Sequence, residues 1–264
     1  MMRLGRLGTL AALLVSGLGF HPSTQADAAD VRRLLDAYPE HLERIDGNAL
    51  VWRDGTRMTI DDGRSGKGLE QMLDDPDIDD MLAIPYRQTP VPSVLPPAID
   101  SDPGRVRHRA FFGKMYGDCA NGTVAPNLVE ITWMAGVKPQ KLKVTRVNGV
   151  AEKLAAVSRD LEKLPADMHR HLVPSAGTYV CRPIAGTERT SPHGLGIAID
   201  IAVPTSDYWR WSKEGPRGRP VYKNRIPIEI VDIFEKHGFV WGGRWFHYDT
   251  MHFEYRPELL PPGR

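Results

Sequence analysis

The sequence lacks three features that would place it in a specialised class of protein. Its 264 residues carry a formal net charge of only +1, so no overall charge favours nucleic acid or an anionic membrane as a partner. Beyond residue 20, no stretch approaches eighteen uninterrupted apolar residues, so we expect no stable membrane insertion. No internal repeat is present. The length therefore favours one sizeable domain and a smaller N-terminal region.

The N-terminus has the pattern of a secretory signal peptide. Arg3 and Arg6 precede an apolar run of twelve residues, 9–20, which is too short to cross a bilayer comfortably. Ala26-Asp27-Ala28 follows and fits an A-x-A cleavage site. The alternative is an apolar helix that stays in the fold. The pattern predicts that residues 1–28 are removed on export.

Cysteine is scarce, because Cys119 and Cys181 are the only two in the sequence. An oxidising compartment permits a disulfide between them. In the loop-entropy model, closing this loop of 62 residues stabilises the fold by about 4 kcal/mol. The alternative is two reduced, buried thiols. For an exported chain we predict the disulfide.

Proline content and hydrophobic spacing divide the rest of the chain. Residues 29–84 form the N-terminal region, in which Asp54-Gly55 predicts the turn of a hairpin. Six prolines in residues 85–104 predict a linker. Residues 105–264 mix helical and strand patterns, which predicts an α+β domain with a small antiparallel sheet and flanking helices. Its helices are predicted at residues 150–164 and 228–236, and its strands at residues 128–133, 141–147, 178–182, 196–203 and 251–255.

The most informative segment reads SPHGLGIAIDIAV, at residues 191–203. Asp200 interrupts an otherwise apolar run, as in a strand that is buried on both faces. A carboxylate there is costly unless it is paired or bound to a metal ion. His193 lies seven residues upstream, across two glycines that allow a sharp turn, so the two side chains could bind one ion. Alternatively, Asp200 accepts hydrogen bonds from backbone amides near an unrelated histidine.

A second segment near the C-terminus favours the metal interpretation. GFVWGGRW, at residues 238–245, precedes DTMHFE, at residues 249–254. His252 is a candidate third ligand, and Asp249 is a carboxylate three residues before it. Residues three apart face opposite ways in a regular strand, so the chain must bend if both serve one metal ion. Three protein ligands leave the fourth position of a tetrahedral zinc open for water, and an unligated carboxylate can take a proton from that water.

These two segments resemble a known family of zinc peptidases. S-x-H-x-x-G-x-A-x-D followed by D-x-x-H is similar to the motifs of VanY-like D-alanyl-D-alanine carboxypeptidases, VanX-like dipeptidases and phage L-alanyl-D-glutamate endopeptidases. The matching residues are Ser191, His193, Gly196, Ala198 and Asp200, then Asp249 and His252. GFVWGGRW is most similar to the endopeptidase branch, and the resemblance covers residues 140–256.

The resemblance implies a role for each matching residue. One zinc ion per chain would be bound by His193, Asp200 and His252. Asp249 would be the general base. The family also places an arginine before the first motif, where it polarises the scissile carbonyl and holds the oxyanion. Arg182 is the matching candidate, although Cys181 stands where an aromatic residue is usual.

The function that the resemblance implies is hydrolysis of peptide bonds in the stem peptides or cross-links of bacterial peptidoglycan. The protein would act in the periplasm or cell wall, as an endopeptidase or as a D,D- or L,D-carboxypeptidase. Peptidoglycan peptides are the expected partners, and the sequence indicates no oligomeric state. The alternative is a non-hydrolytic zinc-containing module that binds peptidoglycan or a protein. The presence of both Asp249 and Arg182 favours the enzyme, and an amidase would need a different ligand order.

Other side chains near the motifs allow more than one interpretation. Trp241 and Trp245 could line a substrate cleft together with Ser191, or the two tryptophans could pack in the core. His247 fits a hydrogen-bonding or surface role better than that of a ligand. Glu254, two residues after the last ligand, could orient that histidine or lie on the surface.

Overall fold

The computed structural model describes residues 28–88, 97–215 and 219–261. Residues 1–27, almost all of the predicted signal peptide, lie outside the described residues, and so do residues 89–96 of the predicted linker. Among the described residues, no helix is both long enough and apolar enough to cross a membrane.

Helices and short strands alternate along the described chain. The α-helices are α1 (Ala28–Ala37), α2 (Leu69–Asp74), α3 (Arg109–Tyr116), α4 (Val150–Leu161) and α5 (Ile228–Lys236). The strands are β1 (Leu42–Asp46), β2 (Ala49–Trp52), β3 (Arg57–Thr59), β4 (Leu128–Trp133), β5 (Gln140–Thr145), β6 (Ala198–Asp200), β7 (Phe239–Trp241) and β8 (His252–Tyr255). They form antiparallel sheets with the orders β1-β2-β3, β4-β5 and β6-β8-β7. The predicted α+β class is confirmed.

The sheet of β6, β8 and β7 brings the two sequence motifs together. β8 lies in the centre, with Asp200 of β6 opposite His252 and Trp241 of β7 opposite Phe253. On one face, α5 covers the sheet, and the ring of Phe234 stacks on Phe253 with 3.8 Å between centroids. The end of β6 and the start of β8 are thereby fixed side by side.

Helices α4 and α5 form where the hydrophobic spacing predicts them. One face of α4 is apolar, and its members are each at most 1% exposed: Val150, Leu154, Val157 and Leu161. α5 begins directly after Pro227, and Gly238, with φ of 91°, follows its end. Only the end of α4 differs, since it lies at residue 161 rather than 164.

The strand predicted at residues 178–182 is wrong. This segment makes only isolated bridges at its two ends, between Gly177 and Asp200 and between Pro183 and Thr190. Proline has no N–H group to donate to a ladder of hydrogen bonds, so pairing stops there. The segment runs instead as extended chain beside the first motif, where the Val180 N–H donates to the carbonyl of His193 at 3.4 Å.

The N-terminal region and the start of the predicted linker pack onto the rest of the fold through buried tyrosine hydroxyl groups. Tyr38 donates to Glu258 at 2.7 Å, and Tyr86 donates to Glu235 at 2.5 Å. The same Tyr86 oxygen accepts the backbone N–H of Trp241 at 2.9 Å. Residues from both sides of the predicted linker therefore belong to one hydrophobic core.

Candidate metal centre

Three different elements supply the candidate ligands. Asp200 ends β6, His252 begins β8, and His193 lies on a short 3-10 helix, Pro192–Leu195. Gly196 turns the chain from that helix into β6 with φ of 72°, and a Cβ atom there would lie 2.9 Å from Leu128. Glycine is required at this position because both the backbone angle and the close packing exclude a side chain.

The ligand atoms converge as a zinc site requires. Asp200 Oδ1 lies 3.2 Å from His193 Nε2 and 2.9 Å from His252 Nδ1. One ligand atom from each of the three residues lies within 4.8 Å of the other two. Zinc bonds of about 2.0–2.1 Å at a tetrahedral angle place ligand atoms roughly 3.3 Å apart. Two nitrogens and one carboxylate oxygen therefore fit zinc in both donor type and spacing.

Each histidine is oriented by a hydrogen bond from its other ring nitrogen. His193 Nδ1 lies 2.5 Å from the Thr178 carbonyl oxygen, which can only accept, so Nδ1 carries the hydrogen and Nε2 presents its lone pair. His252 Nε2 lies 3.1 Å from Glu254 Oε2, so Nδ1 is the nitrogen left to bind a metal ion. Such outer partners fix the tautomer and the ring direction of metal-binding histidines.

Glu254 is completely buried, which decides between its two interpretations. Arg107 donates to both of its carboxylate oxygens, and Arg256 Nη1 lies 3.3 Å from Oε1. Burial alone would raise the pKa of Glu254, but the charge of Arg107 and the hydrogen bond with His252 hold it well below its usual range. The carboxylate therefore stays ionised behind the ligand. A local pattern indicates this role for Glu254, since alternate residues of β8, such as His252 and Glu254, share one face.

The metal-free site favours a proton on His252. Burial by itself would lower the pKa of this imidazole, but its hydrogen bonds with Asp200 and Glu254 outweigh burial and raise the pKa to about 9. At neutral pH the two carboxylates thus share a cationic partner. Zinc binding must displace that proton, because a ligating imidazole is neutral.

Asp249 lies beside the ligands without being one of them. A turn separates it from β8, in which the His252 N–H donates to the Asp249 carbonyl at 3.2 Å. Its Oδ1 atom is buried and makes no hydrogen bond with any described residue. Burial, then the charge of Asp200, raises the pKa of Asp249 to about 6, against the lowering effect of His252 and Arg105. An unpaired carboxylate oxygen with a raised pKa suits a proton acceptor near neutral pH.

Arg182 is exposed, and its Nη1 donates to the adjacent Pro183 carbonyl at 3.5 Å. To act on an oxyanion, its side chain must turn towards the ligands. The predicted disulfide between Cys119 and Cys181 is present, with 5.6 Å between the Cα atoms. A Cβ atom built on Gly194 would lie 3.0 Å from Cys119 Sγ, so the bridge packs against the residue after His193 as well as preceding Arg182.

The three residues predicted to bind substrate are all buried. Trp241 is 0% exposed and donates its indole N–H to the Thr250 carbonyl, so it belongs to the core. Trp245 is 2% exposed, and its ring centroid lies 5.6 Å from that of His252. Ser191 is 3% exposed, and its hydroxyl accepts the N–H of His193. Trp245 and Ser191 contact ligand residues, and the substrate-binding role of the three side chains stays a prediction.

Acidic side chains in the N-terminal region form further groups with suitable spacing for a cation. Their members are Asp61, Asp62, Asp77, Asp79 and Asp80. The ammonium group of Lys67, only 6% exposed, lies 2.7–3.1 Å from three of these carboxylates. A protein cation already fills the place where a metal ion would bind.

Comparison with known families identifies the segment that carries this centre. Residues 185–255 match the family described as D-alanyl-D-alanine carboxypeptidase. The matched range includes the three candidate ligands and Asp249, whereas Arg182 and the N-terminal region lie outside it. Comparison with curated proteins gave no match, and comparison with solved structures gave none either. The resemblance in the motifs is thus confirmed: residues 185–255 match the D-alanyl-D-alanine carboxypeptidase family, whose members are zinc peptidases acting on peptidoglycan peptides.

Proposed function

We propose that the protein is an exported zinc metallopeptidase that hydrolyses peptide bonds in the stem peptides or cross-links of peptidoglycan. The observation that carries the proposal is the convergence of His193, Asp200 and His252 in a segment that matches a family of wall peptidases. The signal-peptide pattern of residues 1–28 and the disulfide support a site of action in the periplasm or cell wall.

The proposed reaction divides the work among a few side chains. A zinc ion held by His193, Asp200 and His252 would supply a Lewis acid for the scissile carbonyl and would make a bound water more acidic. Asp249 takes a proton from the attacking water, because its buried Oδ1 makes no hydrogen bond with any described residue and is free to accept. Arg182 offers guanidinium donors to the oxygen on which negative charge develops, once its exposed side chain turns inwards.

Digestion of purified peptidoglycan tests the proposal. Wild-type protein loaded with zinc should release peptide fragments whose masses identify the bond that is cut. Asp249→Ala should keep zinc and release about 10²–10⁴-fold less. Asp232→Ala is a matched control, because Asp232 is an exposed carboxylate on α5. Zinc-loaded wild-type protein that binds peptidoglycan but releases nothing would instead support the binding-module alternative.

A further inference from the structure

A buried aspartate outside the matched segment holds a histidine at the edge of the metal centre. Asp102 is 0% exposed. Its two carboxylate oxygens accept the backbone N–H of His247 at 2.9 Å and the ring Nδ1 of His247 at 2.5 Å. A carboxylate can only accept here, so Nδ1 carries the hydrogen and Nε2 points away from Asp102. The imidazole therefore has one defined tautomer and one defined direction.

The same segment ties this histidine to the ligands. Trp245 donates its indole N–H to the Pro103 carbonyl, and its ring lies 5.6 Å from the ring of His252. Arg105 covers the other side, with its guanidinium 4.4 Å from the centroid of Trp245, and donates to the His247 carbonyl at 2.6 Å. Residues 102–105 thus hold the loop before β8 against the metal centre.

The imidazole of His247 is partly exposed, two residues before the proposed general base. Its side chain is 26% exposed, whereas those of the two ligand histidines are 6% and 8% exposed. Asp249 follows two residues later, so the two backbones are at most about 7 Å apart. The ring of Trp209 packs on the His247 ring, with 4.7 Å between their centroids. The backbone N–H of Trp209 also donates to the Tyr248 carbonyl. The ring is therefore held in place while part of the side chain stays exposed.

Peptide hydrolysis needs a proton donor for the leaving nitrogen, and Asp249 can be that donor only after it has taken the water proton. A bond forms between the water oxygen and the carbonyl carbon while one water proton passes to Asp249. When the C–N bond breaks, its electron pair stays on nitrogen, and an amine leaves only if that nitrogen gains a proton. A group that is already protonated when the bond breaks removes the need for Asp249 to change position within the reaction.

We propose that His247, aligned by Asp102, gives its Nε2 proton to the departing amine. This role rests on the proposed peptidase function. The Asp102 carboxylate fixes the ring through Nδ1, so that Nε2 is the nitrogen left to face a substrate. The proton on Asp249 afterwards returns to His247 through solvent, so that one water has been added in total.

A comparison of two leaving groups tests this role. The first probe is a synthetic stem pentapeptide, whose scissile bond is identified by mass spectrometry. The second probe carries an ester oxygen in place of the N–H of that bond. An alcohol leaves with far less need of a proton than an amine does. His247→Gln should lower kcat on the amide by about 10²-fold or more and on the ester by less than about tenfold. Addition of imidazole to His247→Ala should restore amide hydrolysis in particular.

The matched control is His237→Gln. His237 is also a partly buried imidazole bonded to an aspartate, at 2.9 Å from Asp160, but it lies after α5 and away from the ligands. It should keep both activities. Zinc content and Tm show whether each variant is folded.

Two results would overturn the role of His247. Equal losses of kcat on the amide and on the ester would indicate that His247 stabilises the oxyanion or the fold. An unchanged kcat on the amide would show that His247 takes no part in the reaction. Zinc-loaded wild-type protein that cleaves neither probe would refute the peptidase function and this role together.

Discussion

Replacing Glu254 by glutamine tests the metal centre at the carboxylate behind its ligand. In the wild type, Glu254 accepts from His252 and is also bonded to Arg107 and Arg256, all within the core. Glutamine has the same length, and its carbonyl can still accept one hydrogen bond. It carries no charge, however, and its amide hydrogens face donors. The substitution therefore removes the electrostatic support of the ligand with little change in shape.

Two effects of different size should follow. Loss of an outer carboxylate weakens metal binding by about 10–100-fold, or about 1.4–2.7 kcal/mol. Independently, Arg107 and Arg256, with side chains 12% and 0% exposed, lose a shared counter-charge. Breaking a buried ion pair costs about 3–5 kcal/mol. Arg256 keeps its bond with Glu258, so we expect the free energy of unfolding without metal to fall by about 3 kcal/mol.

Separate measurements resolve the two effects. Competition with a chelating indicator gives the Kd for zinc of the folded protein, and denaturation in the presence of a strong chelator gives the metal-free stability. Glu229→Gln changes the same charge at an exposed position of α5 and should alter neither. If Glu254→Gln unfolds more easily but binds zinc as tightly as the wild type, Glu254 only balances the charge of the two arginines. The proposed support of His252 by Glu254 would then be wrong.

Three further predictions concern the same centre. Wild-type protein should contain one zinc per chain by metal analysis; Asp249→Ala should retain it, and His252→Ala should lose both zinc and hydrolysis. Reduction of the bridge between Cys119 and Cys181 should lower the free energy of unfolding by up to about 4 kcal/mol in denaturant titrations, and it should slow turnover. Two free thiols in unreduced protein from an oxidising compartment would contradict the bridge. Because the pKa of His252 is raised to about 9, zinc competes with a proton for this imidazole below that pH. The affinity for zinc should therefore rise by up to about tenfold per pH unit from pH 7 to 9 and then level off. A zinc affinity that does not change with pH in calorimetry would contradict this.

The parts of the fold that the sequence predicted well are those set by local spacing. The face of α4 and the start of α5 follow from apolar periodicity and from Pro227. The choice of ligands came from the resemblance of the two motifs to zinc peptidases, together with the position of Asp200 in an apolar strand. Their convergence with His252 depends on the pairing of β6 with β8, which no local pattern specifies.

The parts that the sequence did not predict depend on contacts between distant segments. Arg107 and Glu254 are 147 residues apart, and Asp102 and His247 are 145 apart, so no spacing rule connects them. Trp241 belongs to the core because the strand that carries it packs beside β8. Aromatic character alone does not distinguish a cleft wall from a core residue, as both places favour large rings.

Hydrogen bonds from the two ends of the predicted linker to the rest of the fold limit how this protein can be divided. A chain that started at residue 105 would lack Tyr86, and the backbone N–H of Trp241 would lose its acceptor inside the core. It would also lack Gly104, whose carbonyl accepts from the fully buried Arg256. Buried donors without acceptors destabilise a fold by about 1–3 kcal/mol each. The matched segment therefore depends on contacts from outside it and cannot be transferred to another protein by itself. Substitutions in β7 should be accompanied by compensating substitutions in residues 86–104.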